Sequence, residues 1–446
     1  MPTVVIGGGP SGLRAAASIG EDALLLERED VPAGWGRPEF PEDLGWVRGG
    51  LDTRIAIEGL YGGAPIQAAE CLTRGLSVKG RLVSLPLSPV SVKHVLPEGQ
   101  HLHAIQDQVK TRARIVAQRF IGGGFEQRSY RDWVVQHFGE VTFSSLHAPY
   151  ARARWGEPET LNASMARVHH GLEGAGQAIQ LGRSPASGWQ HLLDRVGDVQ
   201  CGVEILSLEV KDGRVSRVLT AEGAVDVEGD LYCAASMAEV LAWLGDEVAS
   251  TARLDATRLP HRHRLQVLLQ AYQGARATAH LPAEVHVVDA AIPLFRVTRP
   301  MLDKAVDGVA PGALVAHLSL GPNHPIWQMS DHEICEAVAA AFPGAGLPAV
   351  DPETAFVQRM RLYDPGWIGP WHPVQHRVTT LLNEFGIRLV GRTGTHRWID
   401  AGVECLYNQA LHEQPGVASW ELLRTFCDPP VRPADSDVRL DPFVTG

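Results

Sequence analysis

The sequence predicts an α/β protein in which a discontinuous domain with a parallel sheet is combined with a mixed-sheet domain and a helical lobe. Three observations support this prediction. A short strand, a glycine-rich turn and an Ala-rich helix follow one another at the start of the chain. Alternating apolar runs at 202–236 and 284–320 are typical of strands. A strand, a glycine loop and a helix are predicted again at 385–411.

The composition is that of an ordinary globular protein, because 45% of the 446 residues are hydrophobic and 20% are charged. These values exclude disordered, collagen-like and disulfide-scaffold classes. The formal net charge of -11 argues against nucleic acid as a partner, since phosphate contacts need a basic face. The six cysteines are far apart, with no C-x-x-C pair, so we expect reduced thiols and a cytoplasmic protein. We find neither a secretory signal nor a membrane-spanning stretch, and therefore expect no membrane partner.

The N-terminal residues carry the pattern of a dinucleotide site. TVVI at 3–6 is a β-branched strand, and Gly7, Gly9 and Gly12 follow it at the start of a helix. Such glycines permit a tight turn and let backbone N–H groups approach a diphosphate at the positive end of the helix. Glu27 ends the next predicted strand, where a carboxylate can accept hydrogen bonds from a ribose. No second motif of this kind occurs, so the sequence predicts one dinucleotide site and no separate nicotinamide domain.

Periodicity and turn residues predict the other elements. We expect helices around 65–75, 103–120, 129–156 and 331–342, strands within 202–236 and at 284–289, 293–300 and 313–320, and an irregular loop at 31–63. The helix at 129–156 is expected to be interrupted near Pro149, and Arg14 to face solvent or a phosphate. The predicted domains are 1–75 with 185–245 and 375–446, a helical lobe at 76–184, and a substrate domain at 246–374.

Five segments together resemble FAD-dependent oxidoreductases of the protoporphyrinogen oxidase and flavin amine oxidase type, which are related to UDP-galactopyranose mutase. GGGPSG with Glu27 is similar to the FAD diphosphate motif, and PYARARWGEPETLNAS is similar to the helical segment ending in Trp-Gly. CGVEILSLEV is similar to the strand that meets the adenine, and VVDAAIPLFRVTRP to the substrate strand with arginine. GRTGTHRWIDAGVE is similar to the C-terminal flavin motif.

The resemblance implies FAD as cofactor and a Rossmann-like FAD-binding domain assembled from distant parts of the chain. The backbone around Ala401 would face the flavin ring at a helix N-terminus, whose positive potential stabilises the anionic reduced flavin. The segment AGWGR would stand where the family has paired glycines and an arginine. The residues that the resemblance assigns to FAD are Gly7, Gly9, Pro10, Ser11, Gly12, Glu27, Arg28, Gly34, Arg37, Val203, Gly391, Arg392, Asp400, Ala401, Gly402 and Val403.

Six further residues are candidates for the substrate side of the site. Arg296 and Arg299 should face opposite sides of a regular strand, so one would bind an anion and the other would be a solvated edge charge. A histidine near the flavin could act as acid or base at neutral pH. The alternatives, a packed aromatic loop at 367–378 and a surface partner for a phosphate, stay open. The candidates are His396, His372 and Arg296 for catalysis, and Arg296, Arg299, Trp371 and His376 for substrate binding.

Nineteen histidines raise the question of a metal site. The clusters HLH at 101–103, HH at 169–170 and HRH at 261–263 have no nearby Cys, Asp or Glu at ligand spacing, and helical neighbours point apart. We therefore expect no metal.

The sequence favours an FAD-dependent oxidoreductase that removes a hydride from a C–N or C–C bond of a small molecule, with oxygen or another acceptor reoxidising the flavin. One alternative is a sugar-nucleotide mutase without net redox change, which would need two arginines converging on a diphosphate. The other is a non-catalytic flavin-binding protein. Neither the substrate nor the oligomeric state is predicted.

Overall fold

In the computed structural model, the chain is described in ranges that include four sheets and most of the helical lobe. These ranges are 2–32, 46–48, 66–85, 87, 94–96, 98–121, 129–168, 176–181, 192–248, 250–257, 259, 261–288, 291–299, 311–366 and 372–395.

The strands are β1 (Thr3–Ile6), β2 (Ala23–Leu26), β3 (Trp46–Arg48), β4 (Ile66–Leu72), β5 (Arg74–Val78), β6 (Arg81–Ser84), β7 (Gly176–Leu181), β8 (Asp198–Gln200), β9 (Ile205–Lys211), β10 (Arg214–Thr220), β11 (Gly223–Asp226), β12 (Leu231–Cys233), β13 (His261–Ala271), β14 (Glu284–Val287), β15 (Leu294–Thr298), β16 (Ala313–Leu320), β17 (Val350–Pro365) and β18 (Ile387–Leu389). The α-helices are α1 (Pro10–Ile19), α2 (His101–Ile121), α3 (Tyr130–Phe138), α4 (Glu140–Thr142), α5 (Ala148–Arg154), α6 (Ala163–Val168), α7 (Met237–Leu244), α8 (Ser250–Thr257), α9 (Ala275–Thr278), α10 (Asp331–Gly344), α11 (His372–Glu384) and α12 (Gly391–Thr395).

A parallel sheet with the order β18-β12-β1-β2-β8 forms the centre of the first region. Its strands come from the start, the middle and the late part of the chain, and the short apolar runs of β1, β2 and β12 are buried. β1 lies between β2 and β12, so the connections leave it in two directions. In open α/β sheets a ligand binds at such a switch point, beyond the carboxyl ends of the strands. The predicted α/β class is confirmed.

A mixed sheet with the order β17-β13-β16-β15-β14-β5-β6 forms the second region. All its pairs are antiparallel except β14 with β5. Alternation along the strands gives the two faces different chemistry. Val285, Val297 and Leu318 belong to an apolar core that also contains residues of α10, such as Val338. The residues between them are polar, and α5 contacts this part of the sheet through β15 and β16.

The helical lobe contains α3 to α6. Ser129 begins α3 with a capping box, because its hydroxyl accepts from the N–H of Asp132 and the Asp132 carboxylate accepts from the N–H of Ser129. The predicted interruption near Pro149 is confirmed, since a π-helical turn at Phe143–His147 directly precedes it. Proline cannot donate a helical hydrogen bond and crowds the preceding turn, and a wider turn accommodates it.

Three predictions about local structure are wrong, and a fourth is wrong in part. Segment 65–75 is not helical but forms β4 and the start of β5, because pairing with β7 and β14 outweighs helix propensity. The HRH segment at 261–263 begins β13 and is not helical. Residues 372–378 belong to α11 rather than to an aromatic loop. Arg14 is only 8% exposed, so of its two predicted environments solvent is wrong, and a phosphate stays a prediction.

Of two other predictions from the sequence, the loop at 31–63 is tested only in part and the domain boundaries are not tested. Residues 46–48 of the expected loop at 31–63 form β3, and most of that segment lies outside the described residues. The domain boundaries stay a prediction. No helix in the described part of the chain is long and apolar enough to cross a bilayer.

Candidate functional site

The turn after β1 forms a cradle of main-chain groups at the carboxyl edge of the parallel sheet. The Gly7 N–H donates to the Leu26 carbonyl (2.8 Å), and Gly9 is the N-cap of α1, with Pro10 as its first residue. The first turn of α1 contains no acidic residue. The N–H groups of Ser11 and Gly12 precede the first helical bond, which Leu13 donates to the carbonyl of Gly9 at 2.8 Å. These donors lie at the positive end of the helix, where an anion is stabilised.

Two glycines of this cradle have opposite surroundings. A Cβ on Gly12 would collide with the carbonyl oxygen of Gly7, so a side chain there is incompatible with the turn. A Cβ on Gly9 would meet no atom within 4 Å. The space beside Gly9 is therefore open at the N-terminus of α1, which is where a diphosphate would approach this backbone.

Glu27 follows β2 and is 7% exposed. One of its carboxylate oxygens accepts from the N–H of Gly8, and the other accepts from the N–H of Glu29 at 2.8 Å. The N–H of Val203 donates to the main-chain carbonyl of Glu27 at 2.9 Å, so Val203 lies beside this acid. The Arg28 side chain is exposed, and its Nη1 lies 3.7 Å from a carboxylate oxygen of Glu239.

The late part of the chain closes onto the same cradle. Gly391, the first residue of α12, has φ +77°, and a Cβ there would lie 2.9 Å from the Cβ of Ser11. A Cβ on Gly394 would lie 2.9 Å from the carbonyl oxygen of Cys233, at the end of β12. Burial raises the pKa of the Cys233 thiol to about 12, so it is not a thiolate nucleophile. Residues separated by nearly the whole chain thus meet at one edge of the parallel sheet.

The other residues assigned to FAD are described only in part or lie outside the described ranges. Arg392 lies in α12, and its side chain lies outside the described part. The remaining FAD residues and two substrate-side candidates also lie outside the described residues: Gly34, Arg37, Asp400, Ala401, Gly402 and Val403, with Trp371 and His396.

A second feature is a chain of contacting polar side chains on the face of the mixed sheet that α5 approaches. We call it the buried polar cluster. All its members are at most 8% exposed, and they are Arg74, Tyr150, Arg154, Gln266, Glu284, His286, Arg296, Thr298 and His317.

Tyr150 connects α5 to the sheet within this cluster. Arg154 Nη1 donates to the Tyr150 hydroxyl oxygen at 2.9 Å, and the same hydroxyl lies 2.9 Å from Nδ1 of His286. His286 Nε2 lies 3.4 Å from a carboxylate oxygen of Glu284. A neutral His286 satisfies both contacts when Nε2 carries the proton and Nδ1 accepts from the tyrosine. The polar contacts then run from Arg154 through Tyr150 and His286 to Glu284.

Glu284 also contacts two arginines. Its carboxylate oxygens lie 3.4 Å from Arg74 Nε and 3.7 Å from Arg296 Nη1. Arg296 Nη2 in turn lies 3.3 Å from Nδ1 of His317, whose Nε2 lies 3.0 Å from the Thr298 hydroxyl. Because a guanidinium can only donate, Nδ1 of His317 is the acceptor and Nε2 carries the proton.

The charge of the buried polar cluster is positive. It contains three guanidinium groups, which stay protonated, and one carboxylate. Burying charge is costly, and the cost is repaid only by close partners of opposite sign. Ionisable side chains that are buried together make this cluster a candidate for a functional site.

The other predicted substrate residues lie elsewhere. The partly buried Arg299 is not the solvated edge charge that the sequence suggested, since burial lowers its pKa. Among the described residues, the arginines that pair with Glu284 in the buried polar cluster are Arg74 and Arg296, and Arg299 is not one of them. His372 is the first residue of α11, and its side chain lies outside the described part, while His376 is exposed on the same helix.

Sequence reasoning missed Glu284, His286 and His317. Each occupies a polar position that alternates with buried apolar residues in EVHV and ALVAHLSL. This alternation is the usual pattern of a strand with one solvated face, and only the approach of α5 shows that the polar face is buried. Among the described residues, no group of three or more His, Cys, Asp or Glu could hold a metal ion.

Comparison with known proteins relates the fold to that of solved enzymes. No family model and no curated protein sequence matches the chain. A structure of reduced UDP-galactopyranose mutase matches with a TM-score of 0.74 and 15% identity, over 93% of this chain and 94% of that one. Cyclohexylamine oxidase from Brevibacterium oxydans matches with a TM-score of 0.59 and 14% identity, over 95% and 99%. Putrescine oxidase matches with a TM-score of 0.60 and 12% identity, over 95% and 98%.

The chain has the fold of these enzymes. The resemblance inferred from the sequence is therefore confirmed at the level of the fold. Identities this low leave the reaction to be argued from the site itself.

Proposed function

We propose that this chain is an FAD-dependent oxidoreductase that removes a hydride from a C–N or C–C bond of a small molecule bearing an anionic group. One observation is the main support for FAD as the cofactor. Gly391 packs on Ser11 at the open N-terminus of α1, beside Glu27 and at the carboxyl edge of the parallel sheet. The fold shared with an amine oxidase and a mutase supports the same conclusion.

The residues present fit this cofactor. The space beside Gly9 and the N–H groups of Ser11 and Gly12 suit a diphosphate, and Glu27 suits the adenosine ribose. Val203 lies next to that acid, where the adenine is expected. Bound FAD would supply the hydride acceptor, so the protein needs to bind, orient and exchange protons with the substrate.

The buried polar cluster is the reason for proposing a substrate with an anionic group. Arg296 offers a guanidinium beside the imidazole of His317, and Glu284 is the carboxylate among the cluster members. An arginine at such a place recognises a carboxylate or phosphate through charge-assisted hydrogen bonds.

A sugar-nucleotide mutase is the second candidate. The likeness to the solved mutase and the arginines of the buried polar cluster favour it, because a sugar nucleotide carries a diphosphate. Calorimetric titration of the purified protein with UDP-galactopyranose separates the two candidates. Binding that Arg296→Ala abolishes would support the mutase, and no binding to the wild type would eliminate it.

The cofactor is tested by the visible spectrum of the purified protein and by mass analysis of the molecule that denaturation releases. We expect the absorption bands of an oxidised flavin and the mass of FAD. A folded but colourless protein that takes up no added FAD would contradict the proposal.

The substrate class is tested by anaerobic reduction of the bound flavin with pairs of small amines that differ in a carboxylate or phosphate. We expect the anionic member to reduce the flavin at lower concentration. Arg296→Ala should raise its half-saturation concentration about 10- to 100-fold, as loss of a charge-assisted hydrogen bond implies. Arg299→Ala is the matched control outside the cluster. Equal effects of the two variants would contradict the assignment to Arg296.

A further inference from the structure

The outer face of α2 carries an apolar stripe, formed by Leu102, Ile105, Val109, Ala113 and Val116. These residues recur at i, i+3, i+7, i+11 and i+14, which places them on one side of a helix. All are exposed, with exposed fractions of 60% for Leu102, 48% for Ile105, 61% for Val109 and 53% for Val116. A contiguous exposed apolar patch indicates a surface that binds a membrane or another protein.

The opposite face of α2 attaches the helix to the lobe. Ala104 and Thr111 are buried on that side. Asp107 packs against Gly139, where an added Cβ would lie 2.7 Å from the Asp107 Cβ, and its carboxylate accepts from the Val141 N–H at 3.4 Å. The stripe therefore points away from the protein.

The charge of α2 is opposite to that of the whole chain. Between residues 101 and 121 the sequence contains four cations and one acid, although the chain carries -11 overall. Lys110 and Arg114 are exposed on α2. At physiological ionic strength charges act over about 8 Å, so a surface that approaches α2 meets this local positive charge rather than the net charge of the protein.

We propose that α2 docks on the surface of an anionic phospholipid membrane. The stripe would enter the boundary between headgroups and acyl chains, while Lys110 and Arg114 would lie beside the phosphates. A helix that lies on a membrane need not span it, in agreement with the hydropathy of the described helices. The proposal modifies the sequence-based expectation of no membrane partner and does not depend on the flavin.

The charge argues against a second copy of the chain as the occupant. A two-fold contact through the stripe would bring two α2 helices together, each with its excess of cations. Like charges across an interface are unfavourable, whereas anionic lipid is complementary.

The experiment is co-sedimentation of the full-length protein with vesicles of phosphatidylcholine alone or with one third phosphatidylglycerol, at low and high salt. We expect binding to the anionic vesicles only, and weaker binding at high salt. Leu102→Ser/Val109→Ser and Lys110→Glu/Arg114→Glu should each lower the affinity by at least about tenfold. Leu206→Ser and Arg276→Glu are matched controls, because both residues are exposed elsewhere and should leave binding unchanged.

Circular dichroism of each variant verifies that the fold is retained. Absence of wild-type binding to anionic vesicles, or equal losses in the α2 variants and the controls, would overturn the proposal. Light scattering tests whether a second copy of the chain covers the stripe instead. A dimer that Leu102→Ser/Val109→Ser dissociates, without any vesicle binding, would assign the stripe to a second copy of the chain.

Discussion

The glycine cradle after β1 and the buried polar cluster on the mixed sheet differ in the kind of group that forms them. The cradle presents main-chain N–H groups at a helix N-terminus, and its side chains are reduced to hydrogen at Gly9 and Gly12. The cluster consists of ionised, aromatic and other polar side chains contributed by α5 and by strands such as β14 and β15. A main-chain site tolerates few side chains, whereas a side-chain site depends on charge balance.

The two regions should therefore fail in different ways. Removing the carboxylate of the cluster takes away a buried counter-charge and should reduce the stability of the fold. A change at an open position of the cradle should reduce ligand binding and leave the fold intact. The following predictions test this difference, starting with the largest effect.

Glu284→Gln should be the most destabilising change. It removes the carboxylate that lies 3.4 Å from Arg74 and 3.7 Å from Arg296, in a region from which water is excluded. Loss of one partner of a buried ion pair costs about 3–5 kcal/mol of unfolding free energy. Urea unfolding followed by circular dichroism measures it.

Glu140→Gln is the matched control, because Glu140 pairs with Arg131 at 2.8 Å on the surface. Exposed pairs contribute at most about 1 kcal/mol. Similar losses in the two variants would mean that Glu284 is not balancing buried charge.

Gly12→Ala and Gly9→Ala should separate stability from binding within the cradle. The added methyl group collides with the Gly7 carbonyl at position 12, and overpacking of this kind costs about 1–3 kcal/mol. The same methyl group at position 9 meets no protein atom within 4 Å. Gly9→Ala should keep the wild-type melting temperature and bind FAD about tenfold more weakly, through lost approach to the diphosphate.

Thermal melting and FAD titration of the two glycine variants provide the measurements. Unchanged FAD affinity in Gly9→Ala would show that the open space beside Gly9 is not the cofactor site.

The smallest expected effect concerns acid pH. Burial lowers the pKa values of His261 and His263 at the start of β13. The unfolded chain therefore binds protons below about pH 6.5 that the folded chain does not, and stability falls as the pH decreases. The slope is at most about 1.4 kcal/mol per pH unit for each histidine. Urea unfolding between pH 7.5 and 5.5 should show this loss, and His261→Gln should reduce its slope. An unchanged slope in that variant would assign the loss to other groups.

The sequence also predicted some elements and missed others for physical reasons. The strands at 205–226 and the helix α10 were predicted because their turns and periodicity are local. The helix expected around 65–75 is strand because β4 and β5 pair with strands more than one hundred residues away. Local propensity does not contain such pairing.

The sequence by itself determined the cradle, because a turn, a helix N-terminus and a following acid are formed by neighbouring residues with fixed backbone requirements. It also determined the α/β class. Only the tertiary structure decided that the polar face of β14, β15 and β16 is covered by α5 and not by water. In a strand the same alternation of polar and apolar residues serves a solvated face and a buried charged one. The difference lies in what packs above that face, and segments far away in the chain supply it.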